Sequence, residues 1–179
     1  MAKHEPRDVR RAQILDAALS CFGKSGFERT TMADIVTASG LSKGSLYWHF
    51  ENKEAILIAL FDQYNDELEE SWALMDAMPP ADYVKTQGAM IFSALLDDRR
   101  MVEAWMDFIS HPAGRQRMSD LYTRYRARLA ETLAGISAQP EALAASVVAV
   151  IEGLLLQAIV NPSFDPVPAW DVAAESLLH

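Results

Sequence analysis

Apolar residues recur along this chain at helical spacing, and nowhere do they alternate as in a strand. Ile14, Ala17, Ala18, Cys21 and Phe22 fall at i, i+3, i+4, i+7 and i+8, one stripe of a first helix that ends near Gly23 and Gly26. Thr30 or Thr31 can cap a short second helix, with Asp34 adding a carboxylate to its first turn. Met32, Ile35, Val36 and Ser39 make its inner face, and Gly40 stops it. Ser42 starts a third helix that runs to about His49, with Leu46 and Phe50 inward. Asn52 can cap a much longer fourth helix, whose stripe is Leu57, Leu60, Phe61, Tyr64, Leu68, Ser71 and Met75 and which Pro79 and Pro80 end. Further helices are predicted at about 82–96, 99–110, 114–134, 141–160 and 169–178. The fold class expected is therefore all-α.

The chain has 179 residues, half of them hydrophobic, which suffices for a packed core and is too rich for general disorder. The longest apolar run, around Val147 to Val160, is interrupted by Glu152, Gly153 and Gln157, so no membrane span is expected. The charged N-terminus lacks an apolar signal core, which points to a cytoplasmic protein. The one cysteine, Cys21, excludes an internal disulfide and reads as a small buried hydrophobe.

The formal net charge of −9 argues at first against a nucleic-acid partner, but the charge is unevenly placed. Up to Lys53 there are eight bases against six acids, a net +2, which leaves −11 for the remainder. A DNA-binding head is thus allowed at the N-terminal end.

Residues 30–50 carry the strongest functional signal. A short capped helix, a turn on Gly40 and a second short helix make a helix-turn-helix, in which the second helix lies in the major groove. With Leu46 and Phe50 inward, the third helix exposes Lys43, Ser45, Trp48 and His49, while Tyr47 reads equally as core or as contact. Aromatics on a solvated face need something to cover them. Against DNA, Lys43 can donate to guanine, Gly44 lets the backbone come close and Ser45 can bond a base edge or phosphate. Tyr47 and His49 suit phosphates, and Trp48 suits sugars or a thymine methyl; Thr31 and Lys53 can hold phosphates.

The run from Thr31 to Phe50 (TMADIVTASGLSKGSLYWHF), followed by Asn52-Lys53-Glu54 and an apolar helix, resembles the TetR family of repressors. The resemblance covers about residues 10–60; Val36 and Ser39 stand where the family usually has alanine. It implies operator contacts from Thr31, Lys43, Gly44, Ser45, Tyr47, Trp48, His49 and Lys53. It also implies a homodimer, a helix-turn-helix domain at 1–53 and a helical ligand-binding and dimerisation domain at 54–179. Repression, with release from palindromic double-stranded operator DNA by a small effector, is likewise what the resemblance implies.

Two features of the second part fit that reading. The helix at 141–160 is apolar nearly all round, so its own domain or a second subunit must cover it; with the last helix (Trp170, Val172, Ala173, Leu177) it could form a four-helix interface. Large adaptable side chains concentrate between Trp72 and Tyr125. Trp72, Met75, Phe92, Trp105, Met106, Phe108, Tyr122 and Tyr125 are candidates to line an apolar cavity for a hydrophobic or amphipathic small molecule, though core is the default reading for such side chains at helical spacing. Glu103, Asp107, His111, Gln157 or Asn161 could orient it. The arginines at 115, 117, 124, 126 and 128 read as a solvated helix face paired with acids.

An enzyme reading finds little. The four histidines are scattered without metal-ligand spacing. Gly40 to Ser45 lacks the spacing and the preceding strand of a phosphate loop, and there is no nucleophile elbow. No metal or cofactor is expected. A DNA-binding regulator or activator without a small-molecule ligand is the alternative.

Overall fold

The computed structural model describes residues 7–178, apart from the side chains of 95–97, 99, 101–103 and 113. Glu103 as an orienting group therefore lies outside the described side chains. Every regular element among the described residues is a helix. They are α1 (Arg7–Ser25), α2 (Met32–Ser39), α3 (Lys43–His49), α4 (Lys53–Met75), α5 (Pro80–Asp97), α6 (Arg99–Ser110), α7 (Pro112–Leu133), α8 (Pro140–Val160) and α9 (Val167–Leu178).

Helices α2, α3 and α4 start where side chains can satisfy their free amides. Thr31 caps α2 and forms a reciprocal box with Asp34: the Asp34 amide donates to Thr31 Oγ1 at 3.2 Å, and the Thr31 amide donates to Asp34 Oδ2 at 2.9 Å. Gly40 ends α2 with φ 66°, a left-handed conformation that a side chain would resist. Ser42 Oγ accepts from the Ser45 amide at 3.1 Å, and Asn52 Oδ1 accepts from the Ala55 amide at 2.7 Å.

The chain packs as two units. The first holds residues up to Glu67 together with Asp98–Gln116, and the second holds Leu68–Asp97 together with Arg117 onward. The expected division at 53/54 falls inside the first unit, because the start of α4 buries Ile56, Leu57, Leu60 and Phe61 there. Phe61 stacks on Phe108 of α6 with ring centroids 4.1 Å apart. At the start of α6, a Cβ at Gly23 of α1 would lie 3.0 Å from Arg100 Cβ, so the two helices approach closely. Arg100 ties that contact through Asp98, Asp16 and Ser20.

In the second unit Trp170 of α9 is fully buried, and its indole Nε1 donates to the Lys85 carbonyl of α5 at 3.0 Å. Gly88 makes room for it: a Cβ there would stand 2.1 Å from Trp170 Cε2. Arg124 and Arg128 of α7 pair with Glu69 of α4 and with Asp76 just beyond its end, as the sequence led one to expect.

One expectation needs correction. By length and composition α8 could cross a membrane, since its most apolar window has a mean hydropathy of 2.2. Glu152 and Gln157 interrupt the run, but the flanking residues outweigh them. In the structure one face of α8 (Ala144, Val147, Val148, Ile151, Leu154 and Ala158) is buried within the unit. Leu156 and Val160 are left 52 % and 77 % exposed.

Candidate nucleic-acid interface

The packing of α1, α2 and α3 places the expected face of α3 outward. Leu46 is fully buried and Phe50 nearly so, which anchors α3 from below. Lys43 and Gly44 are exposed, Ser45 and His49 half-buried. Tyr47 is 45 % exposed and Trp48 66 %, so Tyr47 belongs with the outward face rather than the core. The Lys43 ammonium lies 5.7 Å from the centre of the Tyr47 ring. A Cβ at Gly44 would meet nothing within 4 Å, so no packing within the chain demands glycine there.

The N-terminal end of α1 lies beside the C-terminal end of α3. The Arg7 guanidinium sits 5.0 Å from the centre of the Trp48 ring, and that of Arg11 sits 5.6 Å from Phe50. Trp48 meets His49 edge-on at 4.7 Å. Burial, reinforced by the charges of Arg7, Arg10 and Arg11, holds the His49 pKa below its ordinary value. A half-buried imidazole in that field stays neutral near pH 7. The arginines at 7, 10 and 11 share one helical face, a spacing visible in the sequence, but nothing in it shows that this face adjoins α3.

Thr31 and Lys53 are more deeply tied into the fold than their expected phosphate roles suggest. The Thr31 hydroxyl donates to Asp34 Oδ2 at 2.7 Å while accepting from the Asp34 amide. Those bonds from Thr31 hold the Asp34 carboxyl below its usual pKa. Lys53 Nζ donates to the carbonyls of Phe27 and Glu28 at 2.8 and 3.0 Å.

The expected cavity residues divide between the units. Trp105, Met106 and Phe108 belong to the first, where Trp105 and Phe108 border a cavity of about 10 Å³ with Leu57, Leu60, Phe61 and Ala104. That is room for one water, whereas small-molecule sites span ~300–1,000 Å³. Met106 is 43 % exposed. Trp72, Met75, Phe92, Tyr122 and Tyr125 belong to the second unit, all buried there except the half-buried Tyr122. Asp107 accepts from the Phe27 amide at 2.6 Å, and Asn161 caps its own turn by accepting from Ser163. His111 faces the Phe27 ring at 6.0 Å, and Gln157 is exposed. Buried Tyr83 and Gln87, which sequence reasoning passed over, stand in the second unit instead.

Comparison with known proteins agrees with the geometry. Residues 14–60 match the bacterial regulatory proteins of the tetR family, and residues 84–179 match the C-terminal domain of BetI-type transcriptional repressors. The HTH-type transcriptional regulator TtgR of Pseudomonas putida is 36 % identical over 101 residues, covering 55 % of this chain and 48 % of that protein. The chain thus matches about half the length of that curated relative. Among solved structures, SmeT in complex with triclosan superposes with a TM-score of 0.83 at 23 % identity, covering 95 % of this chain and 90 % of that one. FadR from Bacillus subtilis in complex with stearoyl-CoA superposes with a TM-score of 0.78 at 22 % identity, covering 93 % and 97 %. At those identities the likeness concerns the fold. With a helix-turn-helix whose second helix has an exposed outer face, and with both halves of the sequence matching, the chain belongs to the TetR family of transcriptional regulators.

Proposed function

We propose that this protein is a repressor that binds palindromic operator DNA as a homodimer and is released by a small hydrophobic or amphipathic effector. The observation that carries the reading is the outward face of α3, where Lys43, Tyr47 and Trp48 stand exposed beside Arg7, Arg10 and Arg11. In this reading Lys43 and Ser45 reach base edges, Gly44 lets the backbone approach, and Tyr47, Trp48 and His49 contact sugar and phosphate. Thr31 and Lys53 hold α2 and α4 in place. Lys53 keeps one ammonium proton that can go to a phosphate, whereas Thr31, whose hydroxyl and amide protons both go to Asp34, would have to give up one of those bonds to do so.

Dimerisation is supported by the exposed apolar residues Leu156 and Val160 of α8 and Val172 of α9, which water would otherwise face. Two recognition helices about 34–36 Å apart would read two half-sites. The functional division would then fall near 53/54, with DNA binding before it and dimerisation and effector binding after it. Because α4 contributes to both units, an effector held in the second would act on the DNA-binding helices through α4. A coupling of ~1–3 kcal/mol is the usual scale for such a switch. Triclosan with SmeT and stearoyl-CoA with FadR support an amphipathic effector. A repressor of this kind acts on DNA in the cytoplasm.

Selection of bound duplexes from a random DNA library tests the reading. Enrichment of an inverted repeat is expected, and enrichment of no sequence, or of an unrepeated one, would overturn it.

A further inference from the structure

Three helices bring a polar cluster into the interior of the second unit. Tyr83 and Gln87 lie one turn apart on α5 and are each 1 % exposed. Trp72 of α4, 3 % exposed, stacks on Tyr125 of α7 with ring centroids 5.1 Å apart and planes 12° from parallel. One turn along from each, Asp76 and Arg128 form an ion pair. Arg128 and Gln87 lie near enough to the Tyr83 hydroxyl to influence its titration, although no hydrogen bond joins them in the structure. Burial is the main influence on that phenol and raises its pKa, so it stays a donor.

Beside the Asp76–Arg128 pair, several polar atoms on these helices have no hydrogen-bond partner. Both amide atoms of Gln87, Tyr83 Oη, Trp72 Nε1 and Arg128 Nε are buried without a hydrogen bond. Isolated cases occur in native interiors, but each carries the full cost of desolvation and calls for an explanation. Here they gather in one place, on three helices, next to a flat aromatic pair.

We propose that this cluster is the polar end of the effector site, and that it takes a neutral, planar molecule bearing a carboxamide or lactam edge. The inference rests on the effector-release reading above and names its ligand. The Gln87 amide presents a donor and an acceptor side by side, and a carboxamide or lactam returns the complementary pair. Tyr83 Oη–H and Trp72 Nε1–H supply further donors to a carbonyl oxygen. Arg128 already has its charge balanced by Asp76, so the cluster offers no free charge for an anionic or cationic head group. The near-parallel rings of Trp72 and Tyr125 favour a flat body.

The test uses the full chain and benzanilide, a planar amide, with its hydrocarbon isostere stilbene and with benzoate as the anion. Binding is followed by tryptophan fluorescence. Benzanilide is expected to bind at least about tenfold more tightly than either control, since a site built for hydrogen bonds rejects analogues that lack them. Gln87→Leu should erase that preference while keeping the helical circular dichroism and a thermal midpoint at or above that of the parent. Tyr83→Phe should weaken benzanilide but not stilbene. Equal benzanilide affinity in the parent and Gln87→Leu, or preference for benzoate, would overturn the proposal. DNA is measured separately on a duplex from the selection. If benzanilide binds through Gln87 without changing DNA affinity, the site stands and effector release falls. If another compound releases DNA equally from the parent and from Gln87→Leu, effector release stands and this site falls.

Discussion

The Lys53 ammonium lies 4.4 Å from the centre of the Phe27 ring and donates to the Phe27 carbonyl at 2.8 Å. One side chain at the start of α4 thus holds the loop that joins α1 to α2. Charge-assisted hydrogen bonds contribute about 1.5–3 kcal/mol each to stability. Replacing Lys53 by methionine keeps most of the stem and removes the charge. Urea unfolding should show a loss of about 2 kcal/mol, and an unchanged midpoint would contradict the anchoring role.

Trp48 makes the opposite prediction. It is 66 % exposed and supports little of the core, so Trp48→Ala should change stability by no more than about 0.5 kcal/mol. Its affinity for the selected duplex should nonetheless fall by about tenfold or more, measured by fluorescence anisotropy. Lys43→Ala should cost ~1–3 kcal/mol of binding and relax specificity at one base pair of each half-site. Unchanged binding by both variants would remove α3 from the interface.

Arg7, Arg10 and Arg11 offer charge beside α3, and their effect should show in the salt dependence. For each arginine that contacts a phosphate, alanine substitution should make the slope of log affinity against log salt shallower by about 1 per phosphate contact. The loss should be similar for specific and random duplexes. A steeper loss on the specific duplex alone would assign these residues to base reading instead.

Much of the first unit was legible because its signals are local. Thr31 with Asp34, Gly40, Ser42 and Asn52 mark helix ends through bonds no more than four residues away, and the helices begin and end where those residues stand. Tyr47 could not be settled that way, since it shares a face with Leu46 and Phe50; only the packing of those two leaves it outside. The approach of Arg7 to Trp48, the grip of Lys53 on the Phe27 carbonyl and the capture of the Phe27 amide by Asp107 join residues far apart in the chain. Periodicity carries no trace of such contacts. Gln87 was passed over for a related reason, because a single glutamine amid apolar residues reads as a solvated position until three helices close around it.

His49 gives a pH prediction. Its pKa in the folded protein lies below the ordinary 6.5, so the unfolded chain takes up the proton more readily. The stability it contributes is therefore complete above pH 6.5 and declines as pH falls from there toward the folded value. His49→Gln should flatten the parent's loss of stability just below pH 6.5, followed by urea unfolding across that range. An identical pH profile in the two proteins would mean that the imidazole is not held neutral by its surroundings.

In the second unit Gly88 is a packing requirement. A methyl group there would fall 2.1 Å from Trp170 Cε2, and the buried indole is held at Nε1 by the Lys85 carbonyl. Gly88→Ala should cost about 1–3 kcal/mol through displaced packing, a loss that outweighs its gain in helix propensity. A more stable variant by thermal unfolding would show that the indole can move aside.

The central claim, that two copies of α3 read two half-sites of one operator, is tested most directly by changing the spacing between those half-sites. Inserting about five base pairs turns one half-site to the opposite face of the duplex, half a helical turn away. Anisotropy titration should then show affinity falling to that of random DNA, with full recovery when about ten base pairs are inserted only if the two copies can stretch to the longer spacing. Affinity for the five-base-pair insertion equal to that for the parent duplex would contradict the account.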